Sequence, residues 1–383
     1  MQILIWFSCL LMFAYILLLL LYRKQWLKIP DFIIENNAVQ EEIFISVIVP
    51  ARNEEKNINA LLETLKHQSY PADLFEVLII DDFSTDKTAE IVARFQSNNI
   101  KLIYLRDFVA ENSINSYKKK AIEIAIELSR GELIVTTDAD CLVNKNWLST
   151  IATFFKKHKP EMIVMPVSII HTSSFIQLFQ TIDFMCLQGI TGAAVSNNFH
   201  GMCNGANLGY TKKAFYEVDG FKDINHIASG DDMMLMHKIA QKNKSAIKYL
   251  KSEDVIVETQ PVNSVSEFIN QRIRWASKAD QYQDKSLFPV LLLVYLVNLL
   301  LLILIVAVIF IPVTTNYFGV IGLLVISKIF FELFFLYPVS RFFKKQNTVW
   351  VFPLLQPLHI IYTVAVGGLG KFGSYQWKGR KVK

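Results

Sequence analysis

Cysteine is scarce in this chain of 383 residues. Cys9, Cys141, Cys186 and Cys203 stand in neither C-x-x-C nor Cys/His spacing. That excludes a readable zinc site or disulfide framework, and reduced structural thiols are expected. Charge is scarce too, at 19% of residues with a formal net charge of +5. No Lys/Arg block is interleaved with aromatics, so nucleic acid is not an expected partner. Internal repeats and low-complexity linkers are absent as well. What is abundant is apolar: 52% of residues are hydrophobic, with 28 Phe. This is too apolar for an ordinary soluble enzyme and the opposite of a disordered chain, so a membrane protein is the first expectation.

Ile3 to Tyr22 runs without a charge, long enough at ~1.5 Å per residue to cross a hydrocarbon core of roughly 30 Å. A cleavable signal peptide would carry its positive charge before the apolar core. Here Arg23 and Lys24 follow it, which reads as an uncleaved anchor over 1–24 with the N-terminus outside and the next domain cytoplasmic. Leu287 to Ser327 is again free of charge, broken at Ile311-Pro312-Val313-Thr314-Thr315-Asn316, and predicts spans over about 288–311 and 317–337. Lys328 and Glu332 lie four apart on the second span and can neutralise each other. A structural helix contact and a lipid-headgroup site are both open readings of that pair. The stretch 348–370 is apolar but interrupted by Pro353, Gln356, Pro357 and His359. Arg341, Lys344 and Lys345 place the loop before it in the cytoplasm, so a full crossing would put the basic tail outside, against the positive-inside preference. A span and a re-entrant or interfacial segment both stand there. The chain is expected in the cytoplasmic membrane, with a C-terminal membrane region over 287–383.

Residues 25–263 read as one globular domain. Apolar, β-branched runs at Ile45 to Val49, Val77 to Ile80, Leu102 to Leu105, Leu133 to Thr136 and Met162 to Val167 predict strands. Helical periodicity covers Asn57 to His67, Thr85 to Phe95 and Lys118 to Leu128. The alternation predicts an α/β fold with a parallel, doubly wound sheet, whose ligands bind beyond the carboxyl ends of the strands.

Those ends are polar. The first strand runs into Pro50-Ala51-Arg52-Asn53-Glu54-Glu55 and the second into Asp81-Asp82-Phe83-Ser84-Thr85-Asp86. A carboxylate there can accept hydrogen bonds from a nucleobase or ribose, or simply cap the next helix, the plainer reading for Asp86. After Leu133 to Thr136 comes Thr137-Asp138-Ala139-Asp140. In extended backbone residues i and i+2 point to one side, so Asp138 and Asp140 are expected to converge. Converging carboxylates repel unless a cation lies between them, and a hard divalent ion sharing phosphate oxygens meets that need. A solvated turn is the bland alternative. Ser229-Gly230-Asp231-Asp232 precedes a helical run, where a carboxylate suits a general base or a cap. Gln271-Arg272-Ile273-Arg274-Trp275 falls in an amphipathic helix expected over about 266–283, within an interfacial segment 264–286. Gln271, Arg274 and Trp275 would share a face beside an apolar stripe of Val265, Phe268, Ile269, Ala276 and Ala279. Such a face could stack on a sugar and pair with phosphate, or snorkel at a membrane surface.

Taken in order, V-I-V-P-A-R-N-E, D-D-F-S-T-D, D-A-D, G-D-D and Q-R-I-R-W resemble glycosyltransferase family 2, in its membrane-anchored branch of cellulose-synthase-like and poly-N-acetylglucosamine-synthase-like enzymes. The resemblance covers roughly Phe44 to Tyr282. It implies a GT-A-type, Rossmann-like nucleotide-diphospho-sugar transferase domain flanked by transmembrane helices. It also implies an inverting, metal-dependent transfer from a nucleotide-diphosphate sugar, a UDP-sugar favoured, to a lipid or membrane-proximal acceptor. By that resemblance Pro50, Ala51, Asn53, Glu54, Asp81, Asp82, Lys118, Asp138, Gln271 and Arg274 bind the nucleotide sugar. Asp138 and Asp140 hold Mg2+ or Mn2+, and Asp232 is the catalytic base. Gly205, Asn207, Asp231 and Trp275 meet the acceptor. The sequence departs from the family at Asp231, where Glu is usual, and at Glu123, which replaces an Asn in Lys118-Lys119-Lys120-Ala121-Ile122-Glu123. A processive polysaccharide synthase is the alternative among enzymes. A nucleotidyltransferase would want a Gly-rich phosphate loop, and Pro50 to Glu55 has no Gly. An inactive membrane scaffold or lipid-binding protein is the alternative outside them.

Overall fold

The computed structural model describes residues 2–34, 43–111, 113–170, 174–228, 230–277, 284–310, 315–372, 375–377 and 380–382. The chain forms two compact units. One comprises Pro30–Ile170 and Gly201–Gln260 with the C-terminal residues, and the other Met1–Ile29, His171–His200 and Pro261–Tyr375.

The first unit contains β1 (Ile45–Ala51), α2 (Ile58–Lys66), β2 (Phe75–Asp81), α3 (Thr88–Ala93), β3 (Ile100–Tyr104), α4 (Tyr117–Leu128), β4 (Leu133–Thr136), β5 (Cys141–Leu142), α5 (Trp147–His158), β6 (Met162–Val164), β7 (Val167–Ile169), β8 (Leu208–Thr211), α7 (Lys212–Glu217), α8 (Asp231–Asn243), β9 (Ile247–Tyr249) and β10 (Val257–Thr259). Val47, Ile48 and Val49 of β1 are fully buried, as a central strand covered on both faces requires. The main sheet runs β3-β2-β1-β4-β8-β6-β9. β3, β2, β1 and β4 are parallel, whereas β8 pairs antiparallel with both β4 and β6. The sheet is therefore mixed, not wholly parallel as expected. Only a βαβ crossover enforces parallel pairing, and the chain between β7 and β8 makes a different excursion. The strand expected over Met162 to Val167 is two strands in different sheets. Pro166 lies between them and has no N–H for a ladder, while β7 joins β10 and β5 in a second, three-stranded sheet.

The second unit holds α1 (Gln2–Lys28), α6 (Phe175–Ser196), α9 (Val265–Ala276), α10 (Leu287–Phe310), α11 (Thr315–Phe342) and α12 (Phe352–Phe372). α1 buries Ile5, Ser8, Met12, Tyr15, Leu19, Tyr22 and Trp26 at alternating three- and four-residue steps. Its other face exposes Ile3, Trp6, Leu10, Phe13 and Leu17, so it is apolar all round with one packed stripe. Lys328 Nζ lies 2.7 Å from Glu332 Oε1 and 2.8 Å from Gln356 Oε1, and Tyr15 donates to Glu332 at 2.5 Å. Lys328 is 1% exposed. The pair is therefore a polar lock between α1, α11 and α12, not a headgroup site. α12 is one continuous helix through Pro357. Pro353 sits in its first turn, where a missing N–H costs nothing.

Among the described residues, five helices are long and apolar enough to cross a membrane: α1, α6, α10, α11 and α12. α6 falls inside the stretch 25–263 expected as one domain, yet it packs on α1 and α11. A Cβ on Gly189 would come within 2.6 Å of Val339 and 3.0 Å of Phe335, so that approach needs glycine. A single crossing by α6 would set β4 and β6 on the opposite side of a membrane from β8, which pairs with both. Length and composition admit α6 as a span; the sheet does not. α9 ends at Ala276, and the expected continuation over 278–283, with Ala279, lies outside the described residues, as do Ser229 and the break at 311–314.

Candidate active site

The tips of β1 and β2 are laced together. Arg52 donates to the carbonyls of Asp82 (2.7 Å) and Phe83 (3.1 Å). Asn53 takes Thr85 N–H at 2.9 Å, and Glu54 N–H reaches Thr88 Oγ1 at 2.7 Å. Asn53 and Phe83 both have positive φ, 52° and 51°. Asn tolerates this, whereas a bulky side chain is strained there by ~1–3 kcal/mol. Arg52 and the edge contact of Phe83 on Tyr117, 5.8 Å between centroids, hold the turn. Arg52 was not among the expected site residues, although it stands in the motif quoted for them. Asp81 is 4% exposed, and its Oδ1 has no hydrogen-bond partner among the described residues. An orphaned buried acceptor at a strand tip is what a ligand donor would satisfy. Asp86 instead accepts from Thr88 N–H at 3.0 Å. Its partial burial opposes ionisation, yet the hydrogen bonds from Thr88 and Glu55 lower its pKa, as a helix-start cap should. Ala51 is buried and gives its carbonyl to Asp82 N–H, Pro50 is half-buried, and Glu54 is 8% exposed with its carboxylate bonded to Asn57.

Asp138 and Asp140 lie beyond the end of β4, outside any strand. Ala139 and Asp140 lie in a turn, with Cys141 N–H donating to the Asp138 carbonyl at 3.2 Å. The alternation argument for their convergence therefore fails, and the turn orients them instead. Both are nonetheless partly open to solvent, and together they push the buried Cys141 thiol up beyond what burial alone does.

Lys118 gathers the carboxylates. Its Nζ is 2.8 Å from Asp138 Oδ1 and 3.5 Å from Asp231 Oδ2. Burial disfavours the ammonium, but Asp138, Asp231 and Asp232 raise its pKa all the same. Next to it, Lys119 donates to the carbonyls of Ile224 (2.7 Å) and Ile227 (2.8 Å) and fixes the loop leading to α8. Asp232 opens α8 with both oxygens engaged by N–H groups, Oδ1 by Met233 (2.7 Å) and Oδ2 by Gly205 (2.9 Å). A Cβ on Gly205 would lie 3.3 Å from Asp231 Oδ2 and 3.6 Å from Lys118 Nζ. This position is therefore a cradle that only glycine leaves open. Asn207, expected in the same acceptor loop, is fully buried. Its amide bonds Trp147, Pro166 and Val255, so it shapes the loop and offers nothing to a ligand. Asp231, 7% exposed, serves as a partner of Lys118.

No group of three or more His, Cys, Asp or Glu among the described residues could hold a metal by protein ligands alone. Asp138 and Asp140 are both partly open to solvent and are hard oxygen donors of the kind that suits a divalent ion completing its shell with phosphate and water. In the other unit, Arg272 rather than Arg274 stacks on Trp275, with its guanidinium 4.2 Å from the ring. Arg272 also pairs with Asp183 at 2.7 Å.

Residues 46–217 match the model of Glycosyl transferase family 2, and 133–364 match Glycosyl transferase family group 2. The chain is 35% identical over 121 residues to the poly(ribitol-phosphate) beta-N-acetylglucosaminyltransferase TarS of Staphylococcus aureus, an overlap of 31% of this chain and 20% of TarS. It thus spans a fifth of that relative's length. With the dolichyl N-acetyl-alpha-D-glucosaminyl phosphate 3-beta-D-2,3-diacetamido-2,3-dideoxy-beta-D-glucuronosyltransferase of Methanococcus voltae it shares 26% over 264 residues, 65% of this chain and 76% of the relative. The mannosyltransferase PcManGT of Pyrobaculum calidifontis, solved in complex with GDP-Man and Mn2+, superposes with a TM-score of 0.56 at 18% identity, over 96% of this chain and 99% of the other. That likeness makes the fold GT-A. With more than half of its residues inside one of the two family matches, and its carboxylate motifs drawn around Lys118, the chain belongs to the family 2 glycosyl transferases.

Proposed function

We propose that this chain moves a sugar from a nucleotide-diphosphate sugar to a hydroxyl of a lipid or lipid-linked acceptor, with inversion at the anomeric carbon. The observation that carries this is Lys118 joining Asp138 to Asp231, one residue from Asp232, so that diphosphate-binding and base motifs share one charged centre. The tip of β2, with the orphaned Asp81 oxygen, would take the nucleoside, a uridine first to be tried.

Asp232, which accepts from two N–H donors, would take the acceptor hydroxyl's proton as that oxygen bonds to the anomeric carbon. The bond to the diphosphate breaks on the opposite face, and the diphosphate leaves with its electron pair. Lys118 would stabilise the charge that develops there, with Arg274 in the same role by family resemblance. Asp138 and Asp140 would hold Mg2+ or Mn2+, which supplies further electrostatic stabilisation of the leaving diphosphate when bound. A single displacement needs no second carboxylate as nucleophile. The name of the Methanococcus relative, which carries a dolichyl N-acetyl-alpha-D-glucosaminyl phosphate, and the apolar helices of the second unit support a membrane-borne acceptor. Arg23 and Lys24, with Arg341, Lys344 and Lys345, support a cytoplasmic catalytic unit.

The test is detergent-solubilised protein screened against a panel of sugar nucleotides, with extracted membrane lipid or soluble glycans as acceptor. Nucleoside diphosphate release coupled to label in lipid is expected. Label only in soluble glycans, or in a long polymer without added lipid, refutes the acceptor assignment.

A further inference from the structure

Within the second unit, two α6 residues one helical turn apart hold the segment that leads into α9 and α9 itself. Gln180 brackets the backbone of Val262, donating to its carbonyl at 2.8 Å and accepting its N–H at 3.0 Å. Asp183 Oδ2 then meets Arg272 Nη2 at 2.7 Å, with the two side chains 8% and 3% exposed. α9 itself starts at an N-cap, with Ser264 accepting from Glu267 N–H, while the Glu267 carboxylate accepts from the N–H of Asn263 just before it. Arg272 is thus the hub of the motif. It donates to Gln271 Oε1 at 3.3 Å, lies 4.2 Å over the Trp275 ring and 4.8 Å over Phe268, while Phe184 closes on Trp275 from α6 at 6.1 Å.

A buried ion pair is a poor source of stability, because desolvation consumes most of its attraction. What it does supply is direction: a planar guanidinium held by one carboxylate has one orientation, and Trp275 and Gln271 are packed against it. We infer that Asp183 is a positioning residue for acceptor recognition, acting through Arg272 to set the Trp275 indole. This rests on the reading that Trp275 contacts the acceptor. Asp183 acts through Arg272 on the indole that meets the acceptor, not on the acceptor itself.

The experiment uses the full chain in detergent, with the productive sugar nucleotide from the panel and extracted membrane lipid titrated as acceptor. Trp275→Ala is measured beside Asp183→Asn, Arg272→Gln and their double variant. Asp183→Asn should raise the KM for lipid at least fivefold with kcat within twofold and the KM for sugar nucleotide unchanged. The double variant should be no worse than the worse single, since both act along one path. Trp275 emission, isolated by subtracting a Trp275→Phe variant, should become more accessible to acrylamide in Asp183→Asn, with or without turnover. An unchanged lipid KM and quenching, or effects that multiply in the double variant, overturn the inference. If Asp183→Asn does not fold, Arg272→Lys decides: it keeps the charge pair but loses the planar stack, so an unchanged lipid KM again overturns it. Should Trp275→Ala leave the lipid KM unchanged, the acceptor reading falls and takes the inference with it. Should Trp275→Ala raise it while Asp183→Asn does not, the inference alone falls.

Discussion

The Lys118 ammonium lies 2.8 Å from Asp138 Oδ1, so the first carboxylate of the D-A-D motif is already neutralised by a residue twenty positions earlier. Asp231 shares the same cation at 3.5 Å. Carboxylates from β4's end and α8's start can stand together only because α4 delivers this charge between them. Removing it should leave three acids in mutual repulsion. Lys118→Met should therefore weaken nucleoside-diphosphate binding roughly tenfold or more, read by calorimetry, while the far-UV signature of the fold is kept.

Asp232→Asn keeps the side chain's size, gives up one of its two N–H contacts and cannot take a proton as a carboxylate does. Turnover should fall by at least the ~10²-fold typical of losing a general base, with nucleotide affinity nearly unchanged. A variant that turns over normally places the base elsewhere.

Asp140→Asn should abolish transfer with the fold intact, and excess chelator should do the same to the unaltered protein. Restoration by Mg2+ or Mn2+ checks the second effect. Full activity in chelator would remove the metal from the proposal.

Gly205→Ala puts a methyl 3.3 Å from Asp231 Oδ2 and 3.6 Å from Lys118 Nζ. The fold should survive, because the neighbours are side-chain ends and need to yield by only a few tenths of an ångström. Turnover should drop by roughly tenfold, since a catalytic geometry is sensitive to displacements on the order of 1 Å. Steady-state kinetics beside a melting curve separates the two.

Burial pulls the Lys119 ammonium down to about 8, against Asp231 and Asp232. In the unfolded chain the same lysine titrates near ~10.4. Between those values the unfolded state holds the extra proton, so stability rises with pH across that window, and below it the buried charge is a standing cost. Melts of the protein and of Lys119→Met from pH 7 to 10 should show the difference between them moving in favour of the native lysine as pH increases. A difference flat across that range contradicts the assignment.

Charge around α1 makes a prediction about sidedness. A reporter after Lys24 or at Asn98 should read cytoplasmic, and one before Met1 outside. A cytoplasmic N-terminus would reverse the whole orientation.

Much of this was legible from residue order alone, because it depends on local pattern. β-branched runs predict β1 to β4, and charge-free stretches predict α1, α10 and α11. The acidic motifs mark the strand ends and the start of α8, since a strand tip or helix start exposes whatever follows the apolar run. Other features depend on partners distant in sequence. The reversed β8 needs β4 and β6 beside it, and the role of Asn207 became visible only once Trp147, Pro166 and Val255 closed on its amide. α6 carries a signal, a single charge in its 22 residues, but its buried Gln180, Thr181, Gln188 and Thr191 look like a polar-block helix until the packing is known. That α6 does not cross a membrane follows from the pairing of β8 with β4 and β6, a constraint that composition does not hold. Likewise Arg272 and Arg274 are interchangeable in a motif written by residue type. Only the position of Asp183, 89 residues away along the chain, decides which guanidinium is buried against Trp275, because an ion pair is a property of distance in space.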